Sequence, residues 1–203
     1  MMWIGLTGGI ATGKSTVSRL LAARDFAVVD ADRLAREAVQ FGTKANLEIA
    51  RVFGPGAILS TGDLDRKVIG DIVFSDRTKL ALLEGIIHPR VRELAQERRK
   101  ALEAEGRAVA FYDVPLLFEK KMESLFDRVV VVACDKKTQR QRLIARDGFS
   151  AEDADRRLAA QMPIEEKIGR SHDVIRNDGS LQDLEREVAA FVARLPGENA
   201  AKK

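Results

Sequence analysis

The sequence predicts an α/β fold built on a parallel sheet, and three observations carry that prediction. Short apolar runs alternate with longer stretches of helical period. A full phosphate-loop motif, G-x-x-x-x-G-K-S/T, stands at Gly8-Gly9-Ile10-Ala11-Thr12-Gly13-Lys14-Ser15, between the first apolar run and a helical stretch. The long interval between the second and third runs is helical throughout, too long for a crossover between neighbouring strands.

The first strand is predicted at Trp3 to Thr7, followed by the loop and a helix with Val17, Leu20, Leu21 and Arg24 on one face. A second strand, Phe26 to Asp30, leads to a helix from Arg33 to Gln40. Thr43 caps a helix through Phe53, which Gly54-Pro55-Gly56 ends. Helices follow at Leu64 to Phe74 and at Asp76 to Ile87, the latter with Ser75 as N-cap. His88-Pro89 is expected to break the chain before a helix that runs to Gly106. Residues 43–106 therefore form an inserted helical lobe. Strands at Val109 to Val114 and Arg128 to Ala133 come next. A second insertion, residues 135–170, contains Ser150-Ala151-Glu152-Asp153, which resembles a capping box. A short strand, Asp173 to Ile175, and a helix from Leu181 to Leu195 close the fold, with a frayed tail at 196–203. The whole is one domain, with 1–42, 107–134 and 171–195 as its core.

Composition narrows the class of function. The 203 residues are 45% hydrophobic and 32% charged, as in ordinary globular proteins. Cations exceed anions only slightly, 34 against 31, which suits a cleft for phosphates better than a nucleic-acid coat. Arg98-Arg99-Lys100 lies among Glu93, Glu97, Glu103 and Glu105, as on a solvated helix face. The single cysteine, Cys134, excludes an internal disulfide. No run approaches the roughly 18 apolar residues of a membrane span, and the early first strand leaves no room for a signal peptide. A cytoplasmic protein acting on small molecules is expected, with no nucleic-acid or membrane partner.

In the phosphate loop, small residues let the backbone curl so that several N–H groups point at a phosphate, and the helix N-terminus adds its dipole. Lys14 neutralises the β- and γ-phosphates, and the Ser15 hydroxyl ligates Mg²⁺. Asp113, at the end of the third strand, is either a magnesium-shell aspartate or a polar residue at a strand mouth. Asp32, just past the second strand, is placed either to accept a proton from an acceptor hydroxyl or to cap the following helix. Asp30 and Asp32 point the same way if the segment is extended. Lys136, Lys137, Arg140, Arg142, Arg146, Arg156 and Arg157 crowd the second insertion. They either clamp transferring phosphoryl oxygens or form ion pairs such as Arg146 with Asp147.

Taken together, these segments resemble the dephospho-coenzyme A kinases. Ile4 to Ile10 with Gly13-Lys14-Ser15-Thr16 is similar to the family's phosphate loop. Asp30-Ala31-Asp32 with Ala35-Arg36 resembles its D-A-D-x-x-A-R signature. His88-Pro89, Val114-Pro115-Leu116-Leu117-Phe118-Glu119 and Arg142 to Asp147 resemble its H-P pair, its V-P-L-L-x-E segment and its lid pattern. Gln161, Lys167 and Asp173-Val174-Ile175 with Asn177 resemble its closing signature.

The resemblance implies a P-loop NTPase three-layer sandwich with a five-stranded parallel sheet, an inserted helical acceptor-binding lobe and a small helical lid. It implies transfer of the γ-phosphoryl of ATP, with Mg²⁺, to the ribose 3′-hydroxyl of dephospho-coenzyme A. A nucleoside-monophosphate or small-alcohol kinase of the same fold is the alternative. Asp32 becomes the base, and Lys14 and Arg142 stabilise the moving group. ATP is implied to contact Gly9, Ile10, Ala11, Thr12, Gly13, Lys14, Ser15, Thr16, Arg142, Arg146 and Asn177. The acceptor is implied to meet Thr7, Asp32, Arg36, His88, Pro115 and Leu116. The family usually has Gly-Ser where this chain has Ala11-Thr12, and Ala11 is restricted if its position needs a positive φ. His172 replaces a small residue and is expected at a strand edge.

Overall fold

A computed structural model describes residues 1–196 of the chain. Five strands, β1 (Met2–Gly8), β2 (Ala27–Asp30), β3 (Val109–Asp113), β4 (Arg128–Ala133) and β5 (Asp173–Arg176), form a parallel sheet in the order β2-β3-β1-β4-β5. The predicted tail beyond Pro196 lies outside the described residues. β1 is central, pairing Leu6 with Asp113 of β3 on one side and with Val130 of β4 on the other. The carboxyl ends of β1 and β3 therefore lie side by side, which brings the phosphate loop and Asp113 together.

Alternation along the strands fills both faces of this sheet. Ile4 and Leu6 of β1, Val109 and Phe111 of β3, and Val130 and Val132 of β4 share one core. Helix α1 (Lys14–Ala22) adds Val17 and Leu21, and the C-terminal helix α9 (Leu181–Val192) adds Leu184, Val188, Phe191 and Val192. Trp3 and Tyr112 stack at 5.6 Å on the opposite face, and Phe126 leans on Tyr112. Ser180 and Asp183 close a complete capping box at the start of α9.

By contact, the described chain falls into two compact units: Met1–Val29 together with the chain from Leu102, and Asp30–Ala101. The second unit is helical, with α2 (Ala31–Ala38), α3 (Lys44–Phe53), α4 (Arg66–Ser75) and most of α5 (Arg77–Ala104). Thr43 caps α3 as predicted, accepting from Asn46 N–H. Two other expectations are corrected here. Ser75 ends α4, its hydroxyl turned back to Asp71 and Ile72 carbonyls, and Asp76 instead accepts from Thr78 and Lys79 N–H groups. His88-Pro89 does not break the chain, because α5 runs through it. Pro89 is exposed, so the carbonyl its ring crowds, on Gly85 one turn earlier, remains open to water.

The second insertion folds as α6 (Lys136–Asp147), α7 (Ala151–Ala159) and α8 (Ile164–Arg170). Asp135 caps α6, and Ser150 caps α7 by accepting from Asp153 N–H. His172 sits at the amino end of β5, where its backbone N–H donates to Val129 carbonyl and its Nδ1 accepts from Val129 N–H. It extends the ladder at the end of the sheet away from the phosphate loop.

Candidate active site

The loop between β1 and α1 is tied down at almost every residue. Thr12 is fully buried, and its hydroxyl and backbone N–H both turn to Gly9 carbonyl, at 2.9 and 3.3 Å. Gly13 precedes α1 with φ 90°, a conformation that side chains rarely adopt. A Cβ there would also come within 2.1 Å of Asn177 Nδ2. Ala11 has φ 61°. The strained position that the sequence raised as a condition is thus realised, at a cost on the order of 1–2 kcal/mol for a non-glycine residue. The exposed Ser15 hydroxyl and the half-buried Thr16 begin α1, where the helix N-terminus supplies unpaired N–H groups.

Beneath the loop, Lys14 forms an ion pair with Asp113, which is only 4% exposed. Ser18, one turn along α1 and not singled out from sequence, donates to the other Asp113 oxygen at 2.6 Å. Asp113 is therefore a buried carboxylate at the strand mouth, tied by both oxygens to the phosphate-loop helix. Thr7, fully buried at the end of β1, donates to Pro115 carbonyl at 3.2 Å. That bond joins β1 to the turn bearing Pro115 and the exposed Leu116.

Asn177 follows β5 and is 8% exposed. Its Nδ2 donates to Thr12 carbonyl at 2.8 Å, and its backbone N–H donates to Ala133 carbonyl. Its own carbonyl accepts from Arg142 Nη2 at 2.9 Å. Asn177 thus braces the loop from below and fixes the guanidinium of Arg142. Arg142 Nη1 also lies 3.6 Å from the sulfur of buried Cys134, whose thiol burial pushes up to about 11. Arg146, one turn further along α6, is exposed and held by its neighbour Asp147 through two bonds of 2.8 Å. Arg140 and Arg156 are likewise paired, with Asp155 and Asp153. In this structure all three arginines are ion-paired at the surface.

In the helical unit, Asp30 rather than Asp32 is the cap of α2. Asp30 Oδ1 accepts from the Asp32 and Arg33 N–H groups at 2.8 and 3.0 Å. Asp32 lies in the first helical turn, not in an extended segment, so the two carboxylates do not share a strand face. Its carboxylate is exposed. Arg36, one turn further, lines a cavity of about 370 Å³ with Val39, Leu59, Asp63, Leu64 and Arg66. Half-buried His88 lies within α5.

Two glutamines complete the loop's surroundings. Gln139 of α6, 4% exposed, donates from Nε2 to Ile10 carbonyl at 2.7 Å, and Gln161 Oε1 accepts from Ile10 N–H at 2.8 Å. Gln139 was legible only as a helix residue; Gln161 stood out within the closing signature. Next to Gln161, Met162 N–H donates to Glu119 Oε1, which also pairs at 2.7 Å with the fully buried Lys167. Burial pushes the Glu119 carboxyl up, but the paired Lys167 ammonium and backbone N–H donors bring it net below its ordinary value.

The parallel sheet, the glycine-bearing loop and the pairing of Lys14 with buried Asp113 define a protein of the phosphate-loop nucleotide-binding class. The family described as dephospho-CoA kinase matches residues 2–183. A dephospho-CoA kinase from Anaeromyxobacter dehalogenans is 49% identical over 97% of this chain and 93% of its own. A solved Thermus thermophilus protein, TT1252, superposes with a TM-score of 0.81 at 41% identity, covering 97% of this chain and 98% of that one. The solved dephospho-CoA kinase from Campylobacter jejuni gives 0.76 at 28% identity, covering 97% and 98%. This chain belongs to the dephospho-CoA kinase family.

Proposed function

We propose that this protein transfers the γ-phosphoryl group of ATP to the ribose 3′-hydroxyl of dephospho-coenzyme A, giving coenzyme A and ADP in the cytoplasm. The observation that carries this reading is the braced phosphate loop in a chain whose relatives across nearly its full length are dephospho-CoA kinases. Lys14 turns from Asp113 to the β- and γ-phosphates when nucleotide binds, and the α1 N–H groups receive the remaining phosphate oxygens. Arg142, pre-oriented by Asn177, neutralises charge on the moving phosphoryl group. Asp32, freed from capping by Asp30, accepts the hydroxyl proton. Arg36, with the cavity it lines, and His88 serve the acceptor, together with Thr7, Pro115 and Leu116.

The donor set fits Mg²⁺, which takes one or two protein oxygens and completes its shell with phosphates and water. The Ser15 hydroxyl would ligate it, and the Asp113 carboxylate would hold its water shell. When bound, the ion neutralises charge developing on the phosphate oxygens. No helix among the described residues is long and apolar enough to cross a membrane.

The test supplies γ-labelled ATP, Mg²⁺ and dephospho-coenzyme A to the purified protein and follows the label. Label on the 3′-position of the ribose, lost on chelation of Mg²⁺, is the expected result. Label released only as inorganic phosphate would overturn the assignment.

A further inference from the structure

We infer that Gln139 and Gln161 form a two-sided clamp on the backbone of Ile10 that keeps the phosphate loop in its nucleotide-binding shape despite Ala11. The inference rests on the reading of this loop as the ATP cradle and names residues that position it.

Ile10 has its carbonyl held by Gln139 Nε2 at 2.7 Å and its N–H held by Gln161 Oε1 at 2.8 Å. The two side chains come from different elements, Gln139 from the first turns of α6 and Gln161 from the turn between α7 and α8. Their opposite polarity matches the opposite ends of one residue, so neither bond can substitute for the other. The clamped residue immediately precedes Ala11, whose φ of 61° an alanine adopts only against a steric penalty. Such strain persists where surrounding bonds over-determine the backbone. Here the residue before Ala11 is held by two glutamines, and the residue after it by Asn177 and by Gly9.

The clamp also fits closely. A Cβ on Gly9 would lie 2.6 Å from Gln139 Nε2, so the amide occupies the space that a side chain there would need. Gln161 is itself anchored through its neighbour, since Met162 N–H donates to Glu119 at 3.1 Å and Glu119 pairs with buried Lys167. Holding a group within about 0.5 Å of working geometry takes such a supporting shell. Gln139 and Gln161 are positioning residues: they hold backbone, and the backbone holds ATP.

Gln139→Met and Gln161→Met keep side-chain length and remove the polar amide. ADP binding with Mg²⁺ is measured by calorimetry on the full chain, alone and combined with Ala11→Gly, alongside KM for ATP and for the acceptor. Each variant is expected to weaken ADP about tenfold, about 1.4 kcal/mol, and to raise KM for ATP while leaving KM for the acceptor within about twofold, on the order of 0.4 kcal/mol. Ala11→Gly is expected to recover most of that loss in each background, because glycine carries no penalty at this φ.

Unchanged ADP affinity in both variants, or a loss equal with and without Ala11→Gly, would overturn the clamp. Equal increases in both KM values would also overturn it, pointing to general loosening. If Gln161→Met does not fold, Gln139→Met carries the same test. ADP binding involves no acceptor, so a wrong acceptor assignment leaves the result readable. A parent chain that binds no ADP would instead refute the ATP-cradle reading.

Discussion

Removing the side chain of Asn177 tests how the loop is held. In Asn177→Ala, the buried carbonyl of Thr12 loses the bond it receives at 2.8 Å, and Gly13 loses the amide that closes off its open side. An unpaired buried carbonyl costs about 1–3 kcal/mol. For a chain of this size each kcal/mol lowers the melting temperature by about 2–4 °C, so a fall of roughly 2–12 °C is expected. A share of about 1.4 kcal/mol borne when the loop re-orders on binding would weaken phosphate ligands about tenfold. ADP and inorganic pyrophosphate should then weaken by similar factors, because the loop holds phosphates and not the base. Titration of both ligands, with a melting curve, decides the matter. Weakened ADP with unchanged pyrophosphate and an unchanged melting temperature would refute loop support and make Asn177 an adenine contact.

Lys14→Ala should abolish measurable transfer while the circular dichroism spectrum stays native; near-parental turnover would remove the loop lysine from the mechanism. Asp32→Asn should lower kcat by about 10²–10⁴-fold, nearer the lower end because loose phosphoryl transfer needs little base assistance. Its melting temperature should hold, since Asp30 makes the cap, and a clear drop would return Asp32 to a structural role. Glu119 has a folded pKa below its unfolded value, so its contribution to stability is full above about pH 5 and is lost as pH falls through the folded value. Glu119→Gln should therefore be less stable near neutrality and show a flatter acid limb in pH-dependent melting; parallel acid limbs would contradict that.

The sheet was legible because each strand is a short apolar run bounded by breakers, and the phosphate loop because its glycines and lysine keep a fixed spacing. The helical interval was legible as helix but not in its joints. Ser75 and Asp76 are adjacent, and both are good caps; only the fold decides that the serine turns back along α4 while the carboxylate takes the α5 N–H groups. Pro89 signals a break in any local reading, yet one missing N–H is tolerated within the 28 residues of α5. Asp30 and Asp32 posed the same difficulty, since strand and helix geometry aim the side chains differently, and the change of element falls between them. Gln139 carried no motif at all. Its role comes from a contact with Ile10 across 129 positions, which no local pattern encodes.

The proposed acceptor is dephospho-coenzyme A. Its most direct test is kcat/KM for dephospho-coenzyme A, AMP and adenosine under saturating ATP and Mg²⁺. A large preference for dephospho-coenzyme A is expected, expressed in kcat as well as in KM, because the remote pantetheine arm helps align the hydroxyl. Faster phosphorylation of AMP or another monophosphate would contradict it.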